Sequence, residues 1–431
     1  MLEEIKSVER EKAILVGVSG VEANRWEAEE HLDELAQLAE TAGADVVDTI
    51  IQDRKKLDSA YYIGRGKAEY LSNVVQELKA EVVIFDDDLT PAQTKNLGKL
   101  LDKKVIDRSA LILDIFANRA QTREARTQVE LAQLHYSLPR LTRAWTHLSR
   151  QVGGIGTRGP GETQLEVDRR LIRKRITNLE RDLEKIEKQR ILRRKHRSNA
   201  FKVALVGYTN VGKSTLLNAL TDAEVFVENR LFATLDATVR EMRFTDSESA
   251  LLIDTVGFIR KLPHHLVASF RSTLEETLEA DLLLHEIDIS HPGFEEQIKT
   301  VRTVLHDLKL DETPVIHVFN KIDALENKNL INAMREKYKP GIFISASRHL
   351  FLDDLKEMIY TYMRKDEQVL RFTIHAADGE SVARVYSLAA VTDRFYDEDK
   401  VILQSRASLS NAEKLKHYAS VKGLFVETLS G

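Results

Sequence analysis

Gly207-Tyr208-Thr209-Asn210-Val211-Gly212-Lys213-Ser214 is the stretch that decides the fold. It follows the apolar run Val203-Ala204-Leu205-Val206 and precedes Thr215-Leu216-Leu217-Asn218-Ala219-Leu220, whose leucines recur at helical spacing. A strand, a glycine turn of the form G-x-x-x-x-G-K-[ST] and a helix, in that order, hold a phosphate chain mainly by backbone N–H groups at the helix N-terminus. Gly207 and Gly212 let the backbone wrap closely around the anion. Lys213 is expected to reach the β- and γ-phosphates as a point charge, and the Ser214 hydroxyl to take one position on Mg2+. Residues from Gly207 through Thr215 are therefore expected to bind a nucleoside triphosphate.

Downstream, Leu251-Leu252-Ile253-Asp254-Thr255-Val256-Gly257 reads as a buried strand running into D-x-x-G. Asp254 is placed to hold Mg2+ through water, and the Gly257 N–H to meet the γ-phosphate, so Lys213 and Gly257 are the catalytic candidates. Carboxyl ends of strands are where open α/β sheets bind ligands. The run Val315-Ile316-His317-Val318-Phe319 leads straight into Asn320-Lys321-Ile322-Asp323, an N-K-x-D motif. A carboxylate at Asp323 accepts from both the ring N1–H and the amino group of guanine, a two-point match that adenine cannot supply. Lys321 would pack its stem over the base, and Ser345-Ala346-Ser347, after Ile342-Phe343-Ile344, would complete the pocket with backbone groups. GTP and GDP are thus the expected ligands.

Between these motifs lies Phe232-Ala233-Thr234-Leu235-Asp236-Ala237-Thr238, where a threonine hydroxyl is needed to close the Mg2+ shell around a triphosphate. Spacing alone leaves Thr234 and Thr238 both open. Such a loop orders around the γ-phosphate and relaxes after hydrolysis, giving two states a partner can read. The residue after D-x-x-G is Phe258, where many GTPases carry a glutamine that orients water. A phenyl ring cannot do that, so slow intrinsic hydrolysis and dependence on a partner are expected, whether or not the ring also packs against the switch helix.

Outward from this core, the N-terminal part alternates strand-like runs at 13–18, 46–51, 82–86 and 105–107 with helix-like runs at 26–41, 67–79 and 91–101, which predicts a small α/β domain with a mainly parallel sheet. Leu131, Leu134, Leu138 and Leu141 then recur at helical spacing, as do Ile172, Ile176, Leu179, Leu183 and Ile186 after a glycine-rich break. Matching stripes with a connection between them predict an antiparallel helical hairpin. Its second helix is basic, carrying Arg169, Arg170, Arg173, Lys174 and Arg175, with Glu180, Asp182, Glu184 and Glu187 available as i,i+4 partners or the cations free for a phosphate backbone. Beyond 365, strand-like 369–374, 382–388 and 400–403 and a helical 411–418 predict a small α+β appendage. The expected fold class is α/β: an N-terminal domain over 1–108, the hairpin with its glycine-rich connection over 109–199, a P-loop GTPase domain over 200–365 and the appendage over 366–431.

Composition bounds the rest. The chain of 431 residues is 43% hydrophobic and 30% charged, as in globular proteins with more than one core. It has no cysteine, which excludes disulfides, thiolate metal sites and cysteine nucleophiles. The charged first dozen residues lack a signal-peptide core, and no apolar run is long enough to span a bilayer, so a cytoplasmic location is expected. A net charge of -5 means any RNA contact must come from local patches. The apolar stripes can be buried within one chain, so a monomer is expected.

The run Gly153-Gly154-Ile155-Gly156-Thr157-Arg158-Gly159-Pro160-Gly161-Glu162-Thr163-Gln164-Leu165-Glu166, with 232–236, 254–262 and the motifs above, resembles the HflX-type ribosome-associated GTPases. The likeness extends over essentially the whole chain, including Tyr62-Ile63-Gly64-Arg65-Gly66-Lys67 and Arg126-Thr127-Gln128-Val129-Glu130-Leu131. It implies a GTPase that binds the large ribosomal subunit and its RNA, splits or rescues stalled ribosomes under heat or other stress, and hydrolyses GTP faster when bound there. By the same resemblance Thr234, rather than Thr238, joins Ser214 on Mg2+, and the glycine-rich run lies near ribosomal RNA. Some relatives also hydrolyse ATP, which N-K-x-D does not predict.

Read by itself, the glycine-rich run removes side-chain bulk at Gly153, Gly154, Gly156, Gly159 and Gly161, while Arg150 and Arg158 offer charge to a phosphate; a hinge between helices is the plainer reading. Two residues depart from the family pattern, which usually has proline at Ala237 and an apolar residue at Glu286. A carboxylate in the buried run 282–288 must find a cation, protonate or face solvent. Because neither departure falls on a motif residue, both are expected to affect local stability and switch stiffness rather than nucleotide binding. Two other readings stand beside the ribosome-splitting enzyme: a nucleotide-gated RNA-binding module, and a ribosome-assembly GTPase.

Overall fold

The computed structural model describes residues 10–20, 24–141, 164–194, 200–221, 231–233, 237–245, 248–261, 277–365 and 367–429. Strands β1 (Lys12–Ser19), β2 (Asp45–Asp53), β3 (Val82–Phe85) and β4 (Lys104–Asp107) form a parallel sheet in the order β2-β1-β3-β4. Alternate residues of β1 face opposite cores. Ala13 and Leu15 meet helices α1 (Arg25–Thr41) and α4 (Arg108–Arg119), while Ile14 and Val16 meet α2 (Arg65–Glu77) and α3 (Pro91–Leu101). Two helix starts are written locally: Asn24 with Glu27, and Thr90 with Gln93 ahead of Pro91 at the first position, form capping boxes.

Helices α5 (Arg123–Ser137) and α6 (Gln164–Arg194) pack as the expected antiparallel hairpin. Leu131, Ile176 and Leu179 form its buried centre, flanked by Leu134, Leu138, Ile172 and Leu183. Direction follows from the cross-links: Arg169 Nη2 donates to the Leu141 carbonyl at 3.0 Å, and Arg175 forks onto Glu130 at 2.6 and 2.8 Å. Arg175 thus pairs across the hairpin, and within α6 Lys185 contacts Asp182 at 3.0 Å, three residues apart.

The central sheet runs β10-β9-β8-β5-β7-β6, built from β5 (Phe201–Gly207), β6 (Thr238–Arg243), β7 (Ser249–Asp254), β8 (Leu282–Asp288), β9 (Val315–Asn320) and β10 (Gly341–Phe343). All neighbours are parallel except β6 against β7. Helices α7 (Lys213–Thr221) and α10 (Leu352–Arg364) cover one face, where Leu216, Leu217, Leu355 and Ile359 bury against Val203, Leu205, Leu252 and Leu284. On the other face lie α8 (Phe294–Asp307) and α9 (Asn329–Lys337).

That second face is continuous with the core of the N-terminal domain. One cluster joins Leu111, Ile112 and Phe116 to Ala204, Val206, Phe232 and Phe258, and the rings of Phe116 and Phe232 meet edge to face with centroids 4.6 Å apart.

The C-terminal part is α+β, as expected, with one correction. Residues 382–388 are not a strand but the end of helix α11 (Gly379–Leu388), started by Asp378, whose side chain accepts from the Ser381 N–H. Val382 and Val385 share a helical face against the sheet, so spacing of three outweighed the preference of valine for strands. With β11 (Glu367–His375), β12 (Ala390–Asp397), β13 (Lys400–Ser408), α12 (Leu409–Lys422) and β14 (Phe425–Leu429), it makes an antiparallel sheet ordered β12-β13-β11-β14.

Candidate nucleotide-binding site

The loop between β5 and α7 has the shape its glycines predict. A Cβ on Gly207 would sit 2.4 Å from the backbone oxygen of Glu286, and Gly212 takes φ +113° with its Cβ position 2.5 Å from Asn320 Nδ2. Only glycine fits either place. Helix α7 begins at Lys213, so the N-terminal amides of the helix face the loop. The Lys213 ammonium is buried and donates to the carbonyls of Tyr208 at 2.9 Å and Gly207 at 3.4 Å. Burial pulls its pKa below the usual lysine value, and the nearby charges of Asp254 and Glu286 pull it back up.

Ser214 Oγ donates to Asp254 Oδ2 at 2.6 Å, joining the loop hydroxyl to the D-x-x-G carboxylate. Thr255 Oγ1 fixes the segment by donating to the Leu205 carbonyl at 2.7 Å. Gly257 lies where a Cβ would come 2.8 Å from Thr209 Cα and 3.0 Å from Lys213 Nζ, so its backbone closes over the phosphate loop. Thr209 Oγ1 is buried with no hydrogen-bond partner among the described residues. These are hard oxygen donors of the kind that suit Mg2+. Among the described residues no cluster of three or more His, Cys, Asp or Glu could hold a metal, so an ion here would draw most of its ligands from phosphate and water.

The residues expected to read guanine, at 320–323 and 345–347, come together in the structure. Asn320 is 3% exposed and spends all its amide capacity: Oδ1 accepts from Lys321 N at 2.8 Å and Ala346 N at 3.0 Å, while Nδ2 donates to the Val211 carbonyl at 3.0 Å and to Glu286 Oε1 at 2.6 Å. Lys321 takes φ +63° and donates to the Asn210 carbonyl at 2.9 Å and Asp288 at 2.7 Å. Ser345 Oγ donates to Asp323 Oδ1 at 2.5 Å and accepts from Arg348 N at 3.2 Å. Ser347 Oγ lies 3.3 Å from Ser345 Oγ. The segments 207–215, 254–257, 320–323 and 345–347 therefore share one edge of the sheet.

Other expectations fall elsewhere. Phe232 is buried with its ring against Phe116, which leaves only its backbone toward a ligand, and Ala233 beside it is part-buried. Thr234, Leu235 and Asp236 lie outside the described residues, as do Arg150, Gly153, Gly154, Arg158, Gly159 and Gly161. Thr238, the other threonine that spacing allowed, opens β6. Phe258 is 2% exposed, its ring in the interdomain core and its backbone bridged to Tyr208, with Thr209 N to its carbonyl at 2.8 Å and its N–H to the Gly207 carbonyl at 3.0 Å.

Glu286 corrects the expectation that it stands apart from the motifs. It is fully buried, it hydrogen-bonds the motif residue Asn320, and its Oε1 lies 3.0 Å from the Cβ position of Gly212. Of the outcomes open to it, a cation lies near in Lys213, and burial favours the protonated form. Burial pushes its pKa up to about 8, Lys213 and the Asn320 hydrogen bond pull against that, and Asp254 adds to it.

Sequence reading missed an ionic seam between the N-terminal domain and the phosphate loop. Tyr208 Oη donates to Glu34 and accepts from Arg260 N at 2.9 Å; Lys261 Nζ reaches Asp86 at 2.8 Å and also Asp87. Arg108, 1% exposed, bonds Asp86 at 2.8 Å and Glu34. Burial raises the Asp86 pKa against the pull of Arg108 and Lys261, and burial brings Arg260 down to about 10. The signal was Asp86-Asp87-Asp88 directly after β3, a run of acids at the carboxyl end of a parallel strand.

A family described as GTP-binding GTPase N-terminal matches residues 29–117, GTP-binding GTPase Middle Region matches 119–197, and 50S ribosome-binding GTPase matches 202–321. A GTPase HflX of Caldanaerobacter subterraneus subsp. tengcongensis is 46% identical, covering 95% of this chain and 94% of its own. One from Flavobacterium psychrophilum is 52% identical over 85% of this chain and 93% of its own, and one from Escherichia coli 44% over 90% and 92%. A solved structure described as the SsGBP and GDP complex is 27% identical with a TM-score of 0.46, covering 81% of this chain and 98% of that one.

Proposed function

The chain belongs to the HflX family of GTPases, and from that premise we propose that it binds the large ribosomal subunit and uses GTP to dissociate or rescue stalled ribosomes, under heat or other stress, with hydrolysis stimulated by the ribosome. One observation carries the stimulation. Phe258 buries its ring in the interdomain core, so the position after D-x-x-G offers no group to orient water.

In this reading the amides of 207–215 cradle the phosphates and the Lys213 ammonium turns from its own loop's carbonyls to the β- and γ-oxygens. Ser214 and Thr234 would hold Mg2+ directly and Asp254 through water; bound there, the ion would neutralise charge developing between the β- and γ-phosphates. The Gly257 N–H donates to the γ-phosphate as water attacks its phosphorus and the bond to the β–γ bridging oxygen breaks, leaving GDP and inorganic phosphate. The 320–323 turn reads guanine, with 345–347 closing the pocket. Among the described residues no helix is long and apolar enough to cross a membrane, and we place the protein in the cytoplasm as a monomer. RNA contact is assigned to the glycine-rich run around Arg150, Gly153, Gly154, Arg158, Gly159 and Gly161.

Sedimentation of assembled ribosomes with the protein tests this. Added with GTP, it is expected to convert assembled particles to subunits, with a non-hydrolysable analogue to do so less completely, and with GDP to leave them intact. Equal sedimentation in all three states overturns the proposal. Splitting with the analogue as complete as with GTP favours the second reading, a nucleotide-gated RNA-binding module for which turnover is incidental. Binding confined to immature large subunits would point to ribosome assembly.

A further inference from the structure

Glu286 stands where the phosphate loop, strand β8 and the 320–323 turn touch. Its Oε1 takes the second amide hydrogen of Asn320 at 2.6 Å, while the first stays on the Val211 carbonyl at 3.0 Å. The same oxygen abuts Gly212, where any side chain would collide with the amide it holds. Without an acceptor there, one donor of a buried amide would be left unmade, at a cost larger than the net worth of an ordinary hydrogen bond.

We propose that Glu286 is a positioning residue for nucleotide binding: its carboxyl group fixes the Asn320 amide so that the phosphate loop and the guanine-reading turn form one rigid cradle, and so sets how tightly the nucleotide is held. The inference rests on the assignment of these two segments to phosphate and base.

The charge of this carboxyl opposes its ligand. The groups facing it are Lys213 from α7, Asp254 from β7, and Asn320 and Lys321 from the turn after β9; His285 on the same strand points to the other face, and burial keeps its ring neutral, with a pKa of about 3. Its Oε2 is buried with no hydrogen-bond partner among the described residues, which suits a neutral acid better than a carboxylate. Bringing in phosphates adds negative charge next to a group whose pKa already stands near 8, and raises it further. The nucleotide-bound state therefore holds more proton than the free state, so affinity is full below pH 8 and declines as pH rises through it.

The test is GDP affinity and release rate, read by a fluorescent analogue between pH 7 and 9, for the full chain and for Glu286→Val and Glu286→Gln. Valine removes the acceptor, and affinity is expected to fall by about tenfold with faster release. Glutamine keeps an acceptor oxygen without the charge, so near-normal affinity and a flat profile above pH 8 are expected. Unchanged binding in the valine variant overturns the proposal, as does a glutamine variant that weakens like valine or keeps the decline with pH. Lys213→Ala measured alongside separates the two levels. If it too binds normally, the assignment of the site is wrong; if it alone loses binding, only the role of Glu286 fails.

Discussion

Replacing Lys213 by alanine is expected to weaken GTP and GDP binding by about 3–5 kcal/mol, roughly two to three and a half powers of ten, and to abolish hydrolysis. Lys213 is 7% exposed, and its ammonium feels the charges of two fully buried carboxyl groups, on Asp254 and Glu286. A phosphate chain brought to that place without the lysine meets those acids with only helix amides to balance them. The nucleotide-free protein should also melt at a lower temperature, because Asp254 loses the cation that compensates its burial. Titration calorimetry with each nucleotide, beside a thermal melt, reads both effects. Wild-type affinity in the variant would mean that nucleotide binds somewhere other than this loop.

The second large effect is on base choice. Asp323 is held by Ser345 Oγ at 2.5 Å, with the adjoining turn locked by Asn320 onto Ala346 N. Two charge-assisted hydrogen bonds to guanine are worth about 1.5–3 kcal/mol each, so Asp323→Asn is expected to weaken GTP by about 3–5 kcal/mol. The asparagine amide would oppose its own donor to the guanine amino group, but it would meet an acceptor in xanthine, which carries a carbonyl there. Competition of guanosine, xanthosine and adenosine triphosphates should show the order of the first two reversed, with adenosine weak for both proteins. An unchanged preference for guanosine would show that Asp323 does not read the base.

How far these features could be read from the chain depended on whether their cause was local. Helix α3 begins at Pro91, as expected, because Thr90, Pro91 and Gln93 cap it within four residues. Strands β3, β5 and β8 are largely apolar runs in the parallel parts of their sheets, and the motifs at 207–214, 254–257 and 320–323 follow strands at the edge where such sheets gather loops. Where the cause was tertiary, reading failed. Helix α11 was mistaken for a strand because its valines are distinguished only by the sheet they cover, and β12 and β14 are exposed edge strands with little apolar pattern. Glu286 looked remote from the site because its contacts lie 34 residues away at Asn320 and across the sheet at Gly212. The seam of Glu34, Asp86, Arg108, Tyr208 and Lys261 bonds residues up to 175 positions apart, and only the acidic run at 86–88 hints at it in the chain.

The most direct test of the account is the rate of GTP hydrolysis by the full chain, alone and with large ribosomal subunits at matched salt, with ATP in parallel. With Phe258 buried and no water-orienting group at its position, the protein alone should turn over slowly and the subunits should stimulate it strongly with GTP. A rate that stays flat with added subunits, despite tight GTP binding, would contradict it.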